Sequence, residues 1–141
     1  MKPKLYFGHP VNVYDTELET KLLKRILAAF PSCEIENPNQ PIHEKGYQDY
    51  KARTGNGMDY YNVEVLPKCV GGIFLPFRDG KWGAGVFKEA QRIEELGCFI
   101  LKIDWQEGIF AMDLGDEASQ VLTVEETRAR IRDERGNPLP Y

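Results

Sequence analysis

The apolar positions of the chain fall into short continuous runs separated by stretches at helical spacing. Lys4-Leu5-Tyr6-Phe7-Gly8 is a short apolar run closed by Gly8-His9-Pro10, which predicts a buried strand ending in a loop. Thr16-x-x-Glu19 has capping-box spacing, and Leu18, Leu22, Leu23, Ile26, Leu27 and Phe30 follow at helical period until Pro31 stops the pattern. Cys33-Glu34-Ile35-Glu36 reads as a second strand. From 37 to 57 the chain is rich in Asn, Pro, Gly, Gln and Tyr, too polar for a core element, and reads as a long loop of the kind that often carries function. A short helix is predicted over 58–68 and the clearest strand over 70–75, ended by Pro76. A Gly-rich turn over 79–85 then leads into a helix from Val86 to about Leu96, capped by Gly97, and a strand over 98–103. Residues 108–114 read as one more strand, and Thr123-x-x-Glu126 opens a charged last helix to about Arg135 before an extended tail.

Alternating strands and amphipathic helices predict an α/β protein with a mostly parallel sheet, and such sheets bind ligands outside the carboxyl ends of their strands. Here those ends are residues 8–14, 37–57, 76–85 and 104–108. A length of 141 residues fits a single domain spanning the whole chain, since domains usually run to ~100–150 residues. Hydrophobic residues make up 42% and charged residues 28%, enough apolar surface for a real core. A net charge of −4 argues against a dedicated binder of nucleic-acid polymers while leaving small anions allowed at a local site. Cys33, Cys69 and Cys98 are scattered, with only His9 and His43 to help them, so neither a metal site nor a disulfide framework is expected. With no signal-like leader and no long apolar stretch, the cytoplasm is the expected compartment and no membrane partner is expected.

On a helical wheel the helix from Val86 places Val86, Phe87, Ala90, Ile93 and Leu96 on one apolar arc, and Glu89 falls inside it. An inward-facing carboxylate is costly unless it is hydrogen-bonded or opens onto a cavity, so Glu89 is the leading candidate for chemistry; the bland reading is a side chain that snorkels to solvent or pairs with Arg92. Gly80, Gly83 and Gly85 before that helix allow close approach of a phosphate or sugar oxygen, or simply form a tight turn; neither a dinucleotide fingerprint nor a Walker loop is present. Asp59 and Asp79 are candidate partner carboxylates, although acids in turns are often just capping groups. Tyr47, Tyr50, Tyr60, Tyr61 and Trp82 stack a base or lid the core.

Tyr6-Phe7-Gly8 ending the first strand, Ile35-Glu36-Asn37 with Pro41 after the second, and Gly83-Ala84-Gly85-Val86-x-x-Glu89 with Gly97 beyond resemble the nucleoside 2-deoxyribosyltransferase family and its N-glycosidase relatives, over roughly residues 4–103. The chain departs from the family pattern in two places: two extra residues separate Gly85 from Glu89, and Ala90-Gln91 follows where the family has Leu-Gly. The resemblance implies a flavodoxin-like, Rossmann-like three-layer sandwich, a homo-oligomer, no cofactor, and cleavage of the N-glycosidic bond of a (deoxy)nucleoside or related nucleotide. Glu89 matches the family's nucleophile, and Asp79, with Asp59 as a looser match, the aspartates that orient or protonate the base. Tyr6 and Gly8 match residues lining the sugar site, and His9, Asn37, Gly83 and Gly85 complete the candidate substrate-binding set. Family members also complete the site with a neighbouring subunit's C-terminal end, which adds Tyr141. No Ser- and Arg-rich phosphate pocket is evident; Lys51, Arg53 and Arg78 are the substitutes, so a free nucleoside is favoured over a nucleotide. The rival expectation is a non-catalytic module that senses a nucleotide in the same crevice.

Overall fold

The computed structural model describes residues 2–141. Five strands, β1 (Lys4–Gly8), β2 (Glu34–Glu36), β3 (Cys69–Phe74), β4 (Phe99–Ile103) and β5 (Ile109–Ala111), form one sheet in the order β2-β1-β3-β4-β5. The first four are parallel and β5 runs antiparallel to β4. Helices α1 (Glu17–Ala29), α2 (Pro41–Thr54), α3 (Met58–Tyr60), α4 (Ala84–Glu95), α5 (Leu114–Glu117) and α6 (Val124–Ile131) flank it. The protein is therefore an α/β, flavodoxin-like three-layer sandwich, and its strand order reverses between β1 and β3.

Each face of the sheet owns one apolar layer. Side chains alternate across a strand, so Leu5 and Phe7 pack with Ile73, Leu75 and Ile103 against Leu18, Leu22 and Ile26 of α1. Tyr6 and Phe74 point the other way, onto Val86, Phe87, Ala90 and Ile93 of α4 and onto Tyr61 and Leu66. Burial on both faces is why β1 and β3 read as continuous apolar runs. The amino end of α1 is capped as the spacing predicts, with Thr16 accepting from the Glu19 amide; at α6 both halves of the Thr123–Glu126 capping box form.

Three expectations need correction. Residues 37–57 are not a loop: Pro41 sits in the first turn of α2 and Gly55 closes it at φ 80°, with the helix laid on the surface so that His43 alone is buried. The last helix stops at Ile131, because Arg132 leaves helical conformation to bridge to Pro138. Residues 133–136 form a turn instead, where Asp133 accepts from the amides of Arg135 and Asn137 and Gly136 takes φ 81°, and beyond it the tail carries no helix or turn and pairs back through Pro138. Beyond Tyr60 the short helix of 58–68 widens into a π-helical stretch, Tyr61–Val65, and tightens again over Leu66–Lys68. Among the described residues no helix is long and apolar enough to cross a membrane.

Candidate active site

Glu89 lies on the second turn of α4 and is 7% exposed, with Val86, Ala90 and Ile93 of the same face buried around it. It neither snorkels nor pairs with Arg92, which faces Glu95 and donates to the Asn62 carbonyl. Instead the Tyr6 hydroxyl, projecting from β1 beneath the cleft, donates to Glu89 Oε2. Burial lifts the Glu89 carboxyl to about 8, and the Tyr6 hydrogen bond opposes this only in part. The Tyr6 phenol is itself pushed well above its ordinary range, first by burial and then by the Glu89 charge. Gly8, at the carboxyl end of β1, leaves the space this pair needs: a Cβ there would stand 2.6 Å from the Phe74 ring and 3.2 Å from Glu89 Oε1.

Glu89 opens on a cleft of about 370 Å³ at the β1–β3 reversal, lined also by His9, Tyr14, Tyr61, Phe77, Gly83 and Gly85 among others, while Tyr6 and Gly8, expected to line the sugar site, lie behind its wall. A larger depression of about 490 Å³ at the start of α1 is a shallow, charged surface of Glu17, Lys21 and Lys24 that encloses nothing. The cleft's outer wall comes from α6, through Thr127, Ile131 and Arg132. Thr127 Oγ1 also accepts from the Ala84 amide at 2.9 Å, supplying the cap that Gly83 cannot give α4.

His9 is 3% exposed, with Nδ1 2.9 Å from the Phe7 carbonyl and Nε2 2.8 Å from Glu19 Oε2. Burial raises Glu19, but hydrogen bonds from His9 and Asn39 outweigh it and hold the carboxyl below its ordinary value. Both ring nitrogens of His9 are thus engaged, one by a backbone carbonyl and one by a carboxylate. It shapes the cleft wall and has no free nitrogen with which to move a proton. Asn39 ties this pair to Asp15, joining the loops that lead into α1 and α2.

The remaining expected residues lie elsewhere. Asp79 is held in a two-pronged ion pair with Arg130, at 2.9 and 2.8 Å, outside the cleft, and this guanidinium keeps its carboxyl below the usual range. Asp59 accepts from the Asn56 side chain at 3.4 Å and contributes nothing to the cleft wall. Asn37 accepts from the Asn39 amide to start the turn into α2, and its neighbour Pro38 lines the cleft in its place. Tyr141 packs edge-on against Trp105 at 5.2 Å, beside β4 rather than in this chain's cleft. Arg53 and Arg78 lie over the rings of Tyr50 and Trp105, leaving Arg132 as the cation on the cleft wall. Of the loop aromatics, Tyr47 and Tyr61 do line the cleft. Trp82 is wholly buried, Tyr60 meets His43, and Tyr50 donates to Glu64.

Reasoning from sequence missed Tyr14, Phe77 and Thr127. Tyr14 and Phe77 sit just past strand ends, a positional signal that was available; nothing local marks Thr127, which reaches the site from the far end of the chain. No family profile, curated protein or solved structure matches this chain.

Proposed function

We propose that the protein cleaves the N-glycosidic bond of a (deoxy)nucleoside or related nucleotide, with Glu89 as nucleophile. The observation that carries this reading is a buried carboxylate, hydrogen-bonded to Tyr6, opening on an enclosed aromatic cleft at the sheet's reversal point. The resemblance of Tyr6-Phe7-Gly8 and Gly83-x-Gly85 with Glu89 to nucleoside 2-deoxyribosyltransferases supports the same chemistry. In this reaction the ionised Glu89 attacks the anomeric carbon while the electrons of the carbon–nitrogen bond pass to the base nitrogen. The resulting glycosyl ester is opened at the same carbon by water or by a second base, which returns the carboxylate. Tyr6 fixes the orientation of the carboxylate, and Gly8 leaves the room in which Phe74 and Glu89 sit. The reading includes a cytoplasmic setting and a homo-oligomer.

A non-catalytic module that binds a nucleotide in this cleft is the second reading. It is favoured by the positions of Asp79 and Asp59, the carboxylates expected beside the base, outside the cleft. The deciding experiment is chromatographic: wild type and Glu89→Gln are incubated with nucleosides, deoxynucleosides and their monophosphates, with and without a second free base. Base release or exchange by wild type alone supports the glycosidic reading; a rise in melting temperature without any product supports the binding module.

A further inference from the structure

A departing base carries away the electrons of the broken bond, and donors aimed at that developing charge lower the barrier. Most polar groups of the cleft are already committed. Both nitrogens of His9 face acceptors, Glu44 accepts from Gln48, and Asp79 is locked to Arg130 outside. Three phenols that line the cleft with Glu89 are not committed, Tyr14, Tyr47 and Tyr61, none with a hydroxyl partner among the described residues, and of these Tyr14 and Tyr61 are the two whose rings meet His9 and Tyr6. The one fully enclosed side-chain polar atom without a partner among these residues is Asn12 Oδ1, so both phenol oxygens open onto accessible space.

Their placement is local to the nucleophile. The Tyr61 ring meets Tyr6 edge-on, centroids 6.4 Å apart, next to the phenol that bonds Glu89. Tyr61 also begins the π-helical stretch, a wide turn of the kind that re-aims side chains at functional sites. Tyr14 follows the turn after β1 and packs its ring on His9 at 4.9 Å. Burial and then the Glu89 charge hold Tyr61 far above its ordinary value; burial, Tyr61 and Glu89 do the same for Tyr14. Both therefore remain neutral donors across the working pH range.

We propose that the hydroxyls of Tyr14 and Tyr61 hold the departing base by hydrogen bonds, taking the place of a carboxylic acid. The inference rests on the glycosidic reading above. As Glu89 bonds to the anomeric carbon, the pair from the broken carbon–nitrogen bond spreads over the ring nitrogens and carbonyl oxygens of the base, which accept from the two phenols. The phenols keep their protons; the base nitrogen takes its proton from water, and solvent neutralises the hydroxide. The ligand class is thus a purine or pyrimidine presenting an acceptor atom beside its glycosidic nitrogen.

The test compares deoxyguanosine with N7-methyldeoxyguanosine, whose base leaves uncharged and needs little help. Tyr14→Phe and Tyr61→Phe are each expected to slow release of guanine at least about tenfold, less than the ~10²–10³ known for a single oxyanion-hole donor because two phenols share the charge, and to change release of the methylated base less than about threefold. Glu89→Gln is expected to stop both. If Glu89→Gln stops both while the phenylalanine variants slow the two substrates equally, or neither, this proposal falls and the glycosidic reading stands. If wild type releases neither base, or Glu89→Gln releases both normally, the reading falls and takes the proposal with it. Melting temperatures show that each variant is folded, and the half-buried Tyr14 carries the test alone should Tyr61→Phe unfold.

Discussion

Replacing Glu89 by Gln should stabilise the protein, and by more as the pH rises. In the unfolded chain the carboxyl titrates near its ordinary value of 4.5, whereas burial holds it at about 8 in the folded state. Between those limits the folded state binds more protons than the unfolded one, so the wild type's contribution from this group is fully present below 4.5 and is lost as the pH climbs through about 8. Each pH unit in that interval is worth ~1.4 kcal/mol, and the whole interval accumulates to roughly 5 kcal/mol. Glutamine has the same shape, accepts from Tyr6 in the same way and does not titrate. The assay is urea unfolding of both proteins at several pH values on either side of the interval. Every other side chain is common to the two proteins, so its contribution cancels in the difference. Stability curves that run parallel across the interval would refute the reasoning, because they would mean that Glu89 ionises in the folded state as easily as in water.

Three further outcomes follow from the same geometry. Since attack requires the carboxylate, kcat/KM for base release should rise about tenfold per pH unit up to a plateau above about 8, and a flat profile there would exclude Glu89 ionisation as the controlling step. Gly8→Ala places a methyl group 2.6 Å from the Phe74 ring; it should cost ~1–3 kcal/mol in unfolding experiments and sharply reduce turnover by disturbing Glu89, whereas unchanged kinetics would mean that the space at Gly8 is unused. Asp79→Asn should lower stability by at most ~1 kcal/mol, the ion pair with Arg130 being largely exposed, and leave base release within a few-fold of wild type; a loss as deep as that of Glu89→Gln would return Asp79 to the chemistry.

The elements legible in the sequence were those whose residues answer to burial. β1 beyond Lys4 and β3 are apolar because both their faces are covered, and α1 and α4 carry an inward apolar stripe. Glu89 stood out because it violates that stripe, and its violation is explained by the cleft and by Tyr6. α2 was hidden because it buries so little that its composition resembles a loop; only Pro41 and Gly55 mark its ends. Asp79 misled because a turn position does not say where a side chain points, and its partner Arg130 lies far along the chain. The wide turn that begins at Tyr61 is a local departure from the helix that no hydrophobic period encodes.

The cap that Thr127 places on α4 also bears on how the protein is made. A chain leaves the ribosome amino end first, so β1, Tyr6 and Glu89 emerge well before the residue that seals the start of the helix carrying Glu89 and the segment that walls its cleft. A nascent or prematurely stopped polypeptide can assemble much of the sheet and still present an open, unsealed pocket. On the glycosidic reading, Glu89 has its helix capped and its cleft walled only once the chain has been made through Arg132.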